Sequence, residues 1–262
     1  MSIVAGCDVG SVTGKTVILD GDEIISSSII PSRPLPAKTA GETMNQALEK
    51  VGLDIKELKY VVGTGYGRVK IPFANKTVSE IACHAKGVGW LMETAGTLID
   101  IGGQDCKAIA LDEKIRGKVK SFVMNDKCAA GTGRFLEVMA AVFEIEPKEI
   151  GPLTLKAKKI VSISSQCSVF AESEVVSLIA EENDRFDILA GVCDSVAGRI
   201  VSLVGRVGLR EDVAISGGVG KNIGVVKAIE RRLNVELKDL PGDPQIMGAL
   251  GAAIIAQEIC SK

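Results

Sequence analysis

Two cysteines stand in settings that suit chemistry. Cys128 lies in Asn125-Asp126-Lys127-Cys128-Ala129-Ala130-Gly131-Thr132-Gly133-Arg134, just ahead of a Gly-Thr-Gly turn. Phe135, Val138, Met139 and Val142 follow at helical spacing, so Cys128 is expected at the N-terminal end of a helix. There the unpaired N–H groups and the helix dipole favour an anion, a thiolate included. Ser164-Ser165-Gln166-Cys167-Ser168-Val169-Phe170-Ala171-Glu172 repeats the arrangement, with Ser168 expected as N-cap and Glu172 in the first turn. A single cysteine reads equally well as a small buried hydrophobe. Two placed alike suggest a shared role.

A second set of residues points to phosphate. Asp8-Val9-Gly10-Ser11 is followed by Lys15, and Asp100-Ile101-Gly102-Gly103 by Lys107. In both, an acid ends a strand, glycine follows, and a lysine lies seven positions after the acid. This is an internal repeat of one ββ unit and predicts two related domains. Gly10-Ser11-Val12-Thr13-Gly14-Lys15-Thr16 falls one residue short of the P-loop pattern G-x-x-x-x-G-K-[ST]. A P-loop must open a helix, whereas Thr16-Val17-Ile18-Leu19 is β-rich and runs into the Asp20-Gly21-Asp22 turn. A strand–turn–strand hairpin fits better, and its backbone N–H groups can hold phosphate oxygens without a helix dipole.

The elements that must position these residues follow in order. Strands are expected at Ile3–Val9, Thr16–Asp20 and Glu23–Ile30, then a helix over Ala37–Val51 and a strand at Tyr60–Val62. A glycine-rich loop, Gly63 to Arg68, precedes a helix over Val78–Met92. Strands recur at Thr97–Ile101, Cys106–Leu111 and Lys118–Met124. Helices are expected over Ala171–Glu182 and Ile188–Val207, a strand at Asp212–Ser216 ending in Gly217-Gly218-Val219-Gly220, and helices over Ile223–Leu233 and Gln245–Ile259. Gly248, Ala249, Gly251, Ala252 and Ala253 give the last helix a face suited to close packing.

Bulk properties narrow the function. The chain has 262 residues, 46% of them hydrophobic and 3% aromatic, so its core must be aliphatic. A net charge of −2 argues against a nucleic-acid binder. No apolar run is expected to reach the length of a membrane span, and the protein is expected in the cytoplasm. Seven cysteines in such a chain do not suggest a disulfide framework. The single histidine, His84, excludes a multi-histidine metal site and is expected to be structural or solvated.

The two hairpins and the Ser216-Gly217-Gly218 loop resemble the phosphate-1, phosphate-2 and adenosine motifs of the acetate and sugar kinase, chaperone and actin superfamily. With Asn125–Arg134 and Ser164–Glu174 added, the whole chain resembles the ATP-dependent activators of 2-hydroxyacyl-CoA dehydratases, a family that includes the ATPase subunits of benzoyl-CoA reductase. The resemblance implies an α/β, actin-like ATPase fold with two related domains around a nucleotide cleft. Residues 1–95 would form the first domain, completed by the helix at about 245–260, and residues 96–244 the second. It implies ATP or ADP with magnesium, and one 4Fe-4S cluster bridging a homodimer. Such a cluster takes four thiolates, and a two-fold axis through it would draw Cys128 and Cys167 from each copy. Cys7, Cys83, Cys106, Cys193 and Cys260 would then pack in strands and helices. Gly10, Ser11 and Lys15 fall to the first phosphate hairpin, Gly102 and Gly103 to the second, Gly131 to the turn after Cys128, and Gly217 and Gly218 to adenosine. Asp8 and Asp100 would organise magnesium through water, and Gln104, with Asp105 as competitor, would orient the attacking water. The implied partners are a 2-hydroxyacyl-CoA dehydratase and a ferredoxin or flavodoxin donor, with no nucleic acid and no membrane. A benzoyl-CoA-reductase-type ATPase subunit, a cluster-free small-molecule kinase and a nucleotide-gated scaffold with core cysteines are the rival readings.

Overall fold

A computed structural model describes residues 2–164 and 167–261. Its elements run β1 (Ile3–Val9), β2 (Thr13–Asp20), β3 (Glu23–Pro31), α1 (Pro36–Glu49), β4 (Tyr60–Thr64), β5 (Lys76–Thr77), α2 (Glu80–Leu91), β6 (Thr97–Ile101), β7 (Cys106–Leu111), β8 (Val119–Asn125), α3 (Gly133–Val142), α4 (Pro147–Thr154), α5 (Ser168–Ala180), α6 (Arg185–Val207), β9 (Val213–Ser216), α7 (Ile223–Leu233), β10 (Leu237–Lys238) and α8 (Met247–Cys260). Two five-stranded sheets form, ordered β3-β2-β1-β4-β5 and β10-β9-β6-β7-β8. Read from its other edge, the second repeats the order of the first, with β6 in the place of β1. The duplication visible in the hairpin sequences therefore extends to whole sheets.

The first sheet shows how the order arises. β1 pairs antiparallel with β2 and β2 with β3, through tight turns. β1 then pairs parallel with β4, which needs the crossover that α1 supplies. α1 opens with Pro36, whose missing N–H costs nothing in a first turn.

The chain divides into two compact units. One combines the residues up to Leu98 with Ile109–Ser121 and the chain from Leu240 onward; the other comprises Ile99–Ala108 and Phe122–Asp239. In the first unit, Ala5, Cys7 and Val9 of β1 pack with Ile18 and with Ala40, Met44 and Ala47 of α1. α8 lies tight on β1, because a Cβ at Gly6 would stand 2.0 Å from the Ala249 carbonyl oxygen. In the second unit, Phe135 and Met139 of α3 pack with Ile188, Val192 and Val196 of α6 and Ile229 of α7. Asp184 and Asn222 cap α6 and α7.

Several expectations need correction. β2 starts at Thr13, because pairing with β3 carries on from Asp20↔Glu23 to Thr13↔Pro31. α4 was not foreseen; Pro147 in its first turn and the Glu146–Glu149 capping box start it. α6 is apolar and long enough to cross a membrane by composition, contrary to expectation. Yet 61% of its most apolar window is buried among neighbouring elements, and Arg185, Ser202 and Arg206 mark an exposed polar side, as in an amphipathic core helix.

Candidate functional site

Register builds the first hairpin. Asp8 faces Lys15 across the β1–β2 ladder, and Lys15 Nζ lies 3.3 Å from Asp8 Oδ2. Gly10 N donates to Thr13 O at 3.0 Å and closes the turn that presents Ser11 and Val12. The glycine-rich loop after β4 seats against the acid. Gly65 has φ +87°, and a Cβ there would stand 2.3 Å from Asp8 Oδ1. Gly67 N donates to Val9 O at 2.8 Å. A Cβ on Gly248, at the start of α8, would stand 2.9 Å from Asp8 Oδ2 and 2.7 Å from His84 Nε2. The fold thus gathers Asp8, Lys15 and His84, and Asp8 is buried at 3% exposure. His84 was read as structural or solvated. It is buried, and nothing in the sequence signalled its nearness to Asp8, which arises from α2 and α8 packing side by side.

The second hairpin follows the same plan with different attachments. Lys107 Nζ donates to Asp100 Oδ2 at 3.1 Å and also to Asp105. Asp100 and Lys107 are 2% and 3% exposed. Ser216, at the end of β9, donates from Oγ to Asp100 Oδ1 at 2.8 Å. The sequence places Ser216 in the adenosine loop but gives no hint of its bond to Asp100, because no local signal links positions so far apart. Gly217 has φ +87°, and a Cβ there would stand 2.2 Å from Ile101 O. The Gly217-Gly218 loop therefore lies directly on the strand that bears Asp100. Gly102 N donates to Asp105 O at 2.9 Å, which closes the turn. Gln104 at its tip is exposed, while the Asp105 carboxylate is held back by Lys107.

The seven cysteines separate by environment. Cys7, Cys83, Cys106 and Cys193 are buried. Burial pushes the Cys7, Cys83 and Cys193 thiols up to about 12 and the Cys106 thiol up to about 11, so none is ready to ligate as a thiolate. Cys260 is half-buried near the end of α8. Cys128 is half-buried and Cys167 exposed.

Two expectations about the helix starts are revised. Thr132 is the N-cap of α3, and Cys128 stands in the loop ahead of it. The α3 amides of Gly133 and Arg134 donate to Gly102 O at 2.9 Å and Gly103 O at 2.8 Å, so those N–H groups serve the hairpin and not the thiol. In the second segment the N-cap is Cys167, not Ser168, and Glu172 falls beyond the first turn. Ser165 and Gln166 of that segment lie outside the described residues. Ser164 donates from N and Oγ to Glu174 Oε1 at 2.9 and 3.0 Å.

Among the described residues no three His, Cys, Asp or Glu side chains converge to hold a metal ion. Magnesium needs no such group, since it keeps waters and takes one or two carboxylates plus phosphate oxygens, and Asp8 or Asp100 can serve. One chain offers Cys128 and Cys167 as accessible thiols at helix-start segments of one unit. That is half of an iron–sulfur ligand set and fits a cluster shared by two copies.

Duplicated sheets, each with an acid–glycine–lysine hairpin at the end of its first strand, define an actin-like ATPase fold. Within that class the chain belongs to the BadF/BadG/BcrA/BcrD ATPase family, whose model matches residues 5–256. It is 48% identical to the activator of lactoyl-CoA dehydratase from Anaerotignum propionicum, over 98% of both chains. Component A of (R)-2-hydroxyglutaryl-CoA dehydratase from Acidaminococcus fermentans matches in structure with a TM-score of 0.95, at 41% identity and over 100% of both chains. The activator of 2-hydroxyisocaproyl-CoA dehydratase from Clostridium difficile, solved with bound ADPNP, matches with a TM-score of 0.94, at 44% identity over 99% of this chain and 96% of that one.

Proposed function

We propose that this chain hydrolyses ATP to activate a 2-hydroxyacyl-CoA dehydratase, as the names of its relatives suggest, and that it does so by delivering single low-potential electrons. The observation that carries the electron-transfer half is the division among the cysteines. The two that stand in the helix-start segments are the two with access to solvent in the second unit, while Cys106 and Cys193 of that unit are buried. Cys128 and Cys167 of two copies would together hold one 4Fe-4S cluster. When bound, that cluster supplies a one-electron carrier whose potential responds to charge, hydrogen bonds and solvent exposure.

The chain's own groups take these parts. Ser11 and the backbone of the first turn, with Lys15, hold phosphate oxygens from the first unit. Gly102 and Gly103 do so from the second. Asp8 and Asp100 hold water on magnesium. Gln104 orients the attacking water; it is exposed at the tip of its turn, while Lys107 retains its competitor Asp105. Gly217 and Gly218 take the adenosine, and Gly217 lets their loop lie close on β6, where a Cβ would meet Ile101 O. Residues 1–95 with the C-terminal helix, and residues 96–244, are the two proposed functional domains. A ferredoxin or flavodoxin would reload the carrier.

The test mixes the reduced protein with a 2-hydroxyacyl-CoA dehydratase under anaerobic conditions. Dehydratase activity should appear with ATP and stay at background with ADPNP. Full activation with ADPNP, or none with ATP, would refute the coupling of hydrolysis to electron delivery.

A further inference from the structure

The loop that carries Cys128 is fastened at both ends to the second hairpin. At its start, Asn125 ends β8, and its Nδ2 donates to the carbonyl oxygen of Cys128 at 3.0 Å. The same Nδ2 faces Cys106 Sγ, on the returning strand of the hairpin, at 3.9 Å. At its end, Thr132 donates to Ala129 O from N at 3.1 Å and from Oγ1 at 2.6 Å. The next two amides, Gly133 N and Arg134 N, bond Gly102 O and Gly103 O. There is little slack between these anchors. Gly131 has φ +88°, and a Cβ there would stand 2.8 Å from Arg199 Cγ.

Peptide planarity gives these bonds a consequence. The oxygen of Gly102 and the N–H of Gly103 belong to one rigid plane, and the oxygen of Gly103 and the N–H of Gln104 to the next. A phosphate that accepts from Gly103 N–H and Gln104 N–H would act on the very planes whose oxygens hold the start of α3. Turning a plane moves its oxygen, and polarising the N–H strengthens the bond on the opposite side. Cys167 is held differently. Ser164 is tied to Glu174 of the same helix, and Cys167 is that helix's own N-cap.

We infer that Asn125 is a positioning residue for Cys128, and that the Gly102–Gly103 and Gly103–Gln104 peptides relay phosphate occupancy to that cysteine, not equally to both. The inference rests on the phosphate-binding part of the proposed function and adds the route.

The experiment labels the cluster-free, full-length protein with iodoacetamide and reads Cys128 and Cys167 separately by mass spectrometry, with ADP or ADPNP present. In the unmodified protein, Cys128 should label at rates that differ at least about threefold between the nucleotides. Asn125→Ala should raise the Cys128 rate about fivefold, the effect of losing one hydrogen bond, and erase the nucleotide difference, with the Cys167 rate unchanged. Asn125→Asp, nearly isosteric but without the donor, should do the same and decides the matter if the alanine variant fails to fold. An unchanged Cys128 rate in the variants, or equal acceleration of both cysteines, overturns the positioning role. A Cys128 rate indifferent to nucleotide in a protein that still hydrolyses ATP overturns the relay and leaves the ATPase reading standing. Absence of ATP hydrolysis in the unmodified protein removes both.

Discussion

Asp8 and Asp100 end matching strands, yet they are held in unlike ways. Asp8 meets Lys15 at 3.3 Å, and the Lys15 side chain keeps 13% of its surface. Asp100 meets Lys107 at 3.1 Å with both side chains 3% exposed, and it accepts from Ser216 as well. The turns differ further. Where the first hairpin has Ser11, Val12 and Thr13, the second has Gly103, Gln104 and Asp105. The first carries hydroxyls at Ser11 and Thr13 and no amide side chain. The second adds an amide side chain, and its carbonyls hold the helix that follows Cys128. One backbone plan, used twice, thus yields a turn whose Gly10 and Val12 carbonyls are held by Ser32, just after β3, and a turn whose Gly102 and Gly103 carbonyls are held by the start of the helix that follows Cys128.

The largest contrast should come from removing the acids. Asp100→Ala leaves Lys107 buried with one carboxylate fewer, and stability should fall by about 3 kcal/mol, together with loss of ATP hydrolysis. Asp8→Ala should also impair hydrolysis but cost about 1 kcal/mol, because Lys15 can turn toward water. Thermal unfolding beside an ATPase assay measures both. Equal destabilisation would break the comparison. A smaller effect sharpens it: Gln104→Ala should slow turnover about tenfold to a hundredfold with little change in ATP affinity, since the lost contact acts in the transition state. A drop in affinity with turnover intact would instead make Gln104 a binding residue.

The features legible in the sequence were those written locally. An acid, glycines and a lysine on facing strands need only a tight turn to meet, so both hairpins could be drawn from spacing alone. The cysteine segments were visible for the same reason, although the cap was misplaced by one residue at Cys167. Backbone geometry, not side-chain preference, decides which residue flanks a helix half-in. What stayed hidden depends on elements far apart in the chain. Ser216 reaches Asp100 because β9 pairs beside β6, and His84 comes near Asp8 because α2 and α8 carry glycines where they cross. The bonds from Gly133 and Arg134 to the second hairpin were invisible because backbone groups leave no trace in residue identity.

The claim on which the account turns is that Cys128 and Cys167 of two copies hold one cluster. Iron analysis and absorption spectra of the anaerobically purified protein test it, on the unmodified chain and on Cys128→Ser and Cys167→Ser. The account predicts a brown protein with about four irons per two chains, and near-total loss of iron in either variant. A colourless, iron-free chain, or variants that keep full iron and an unchanged spectrum, would contradict it.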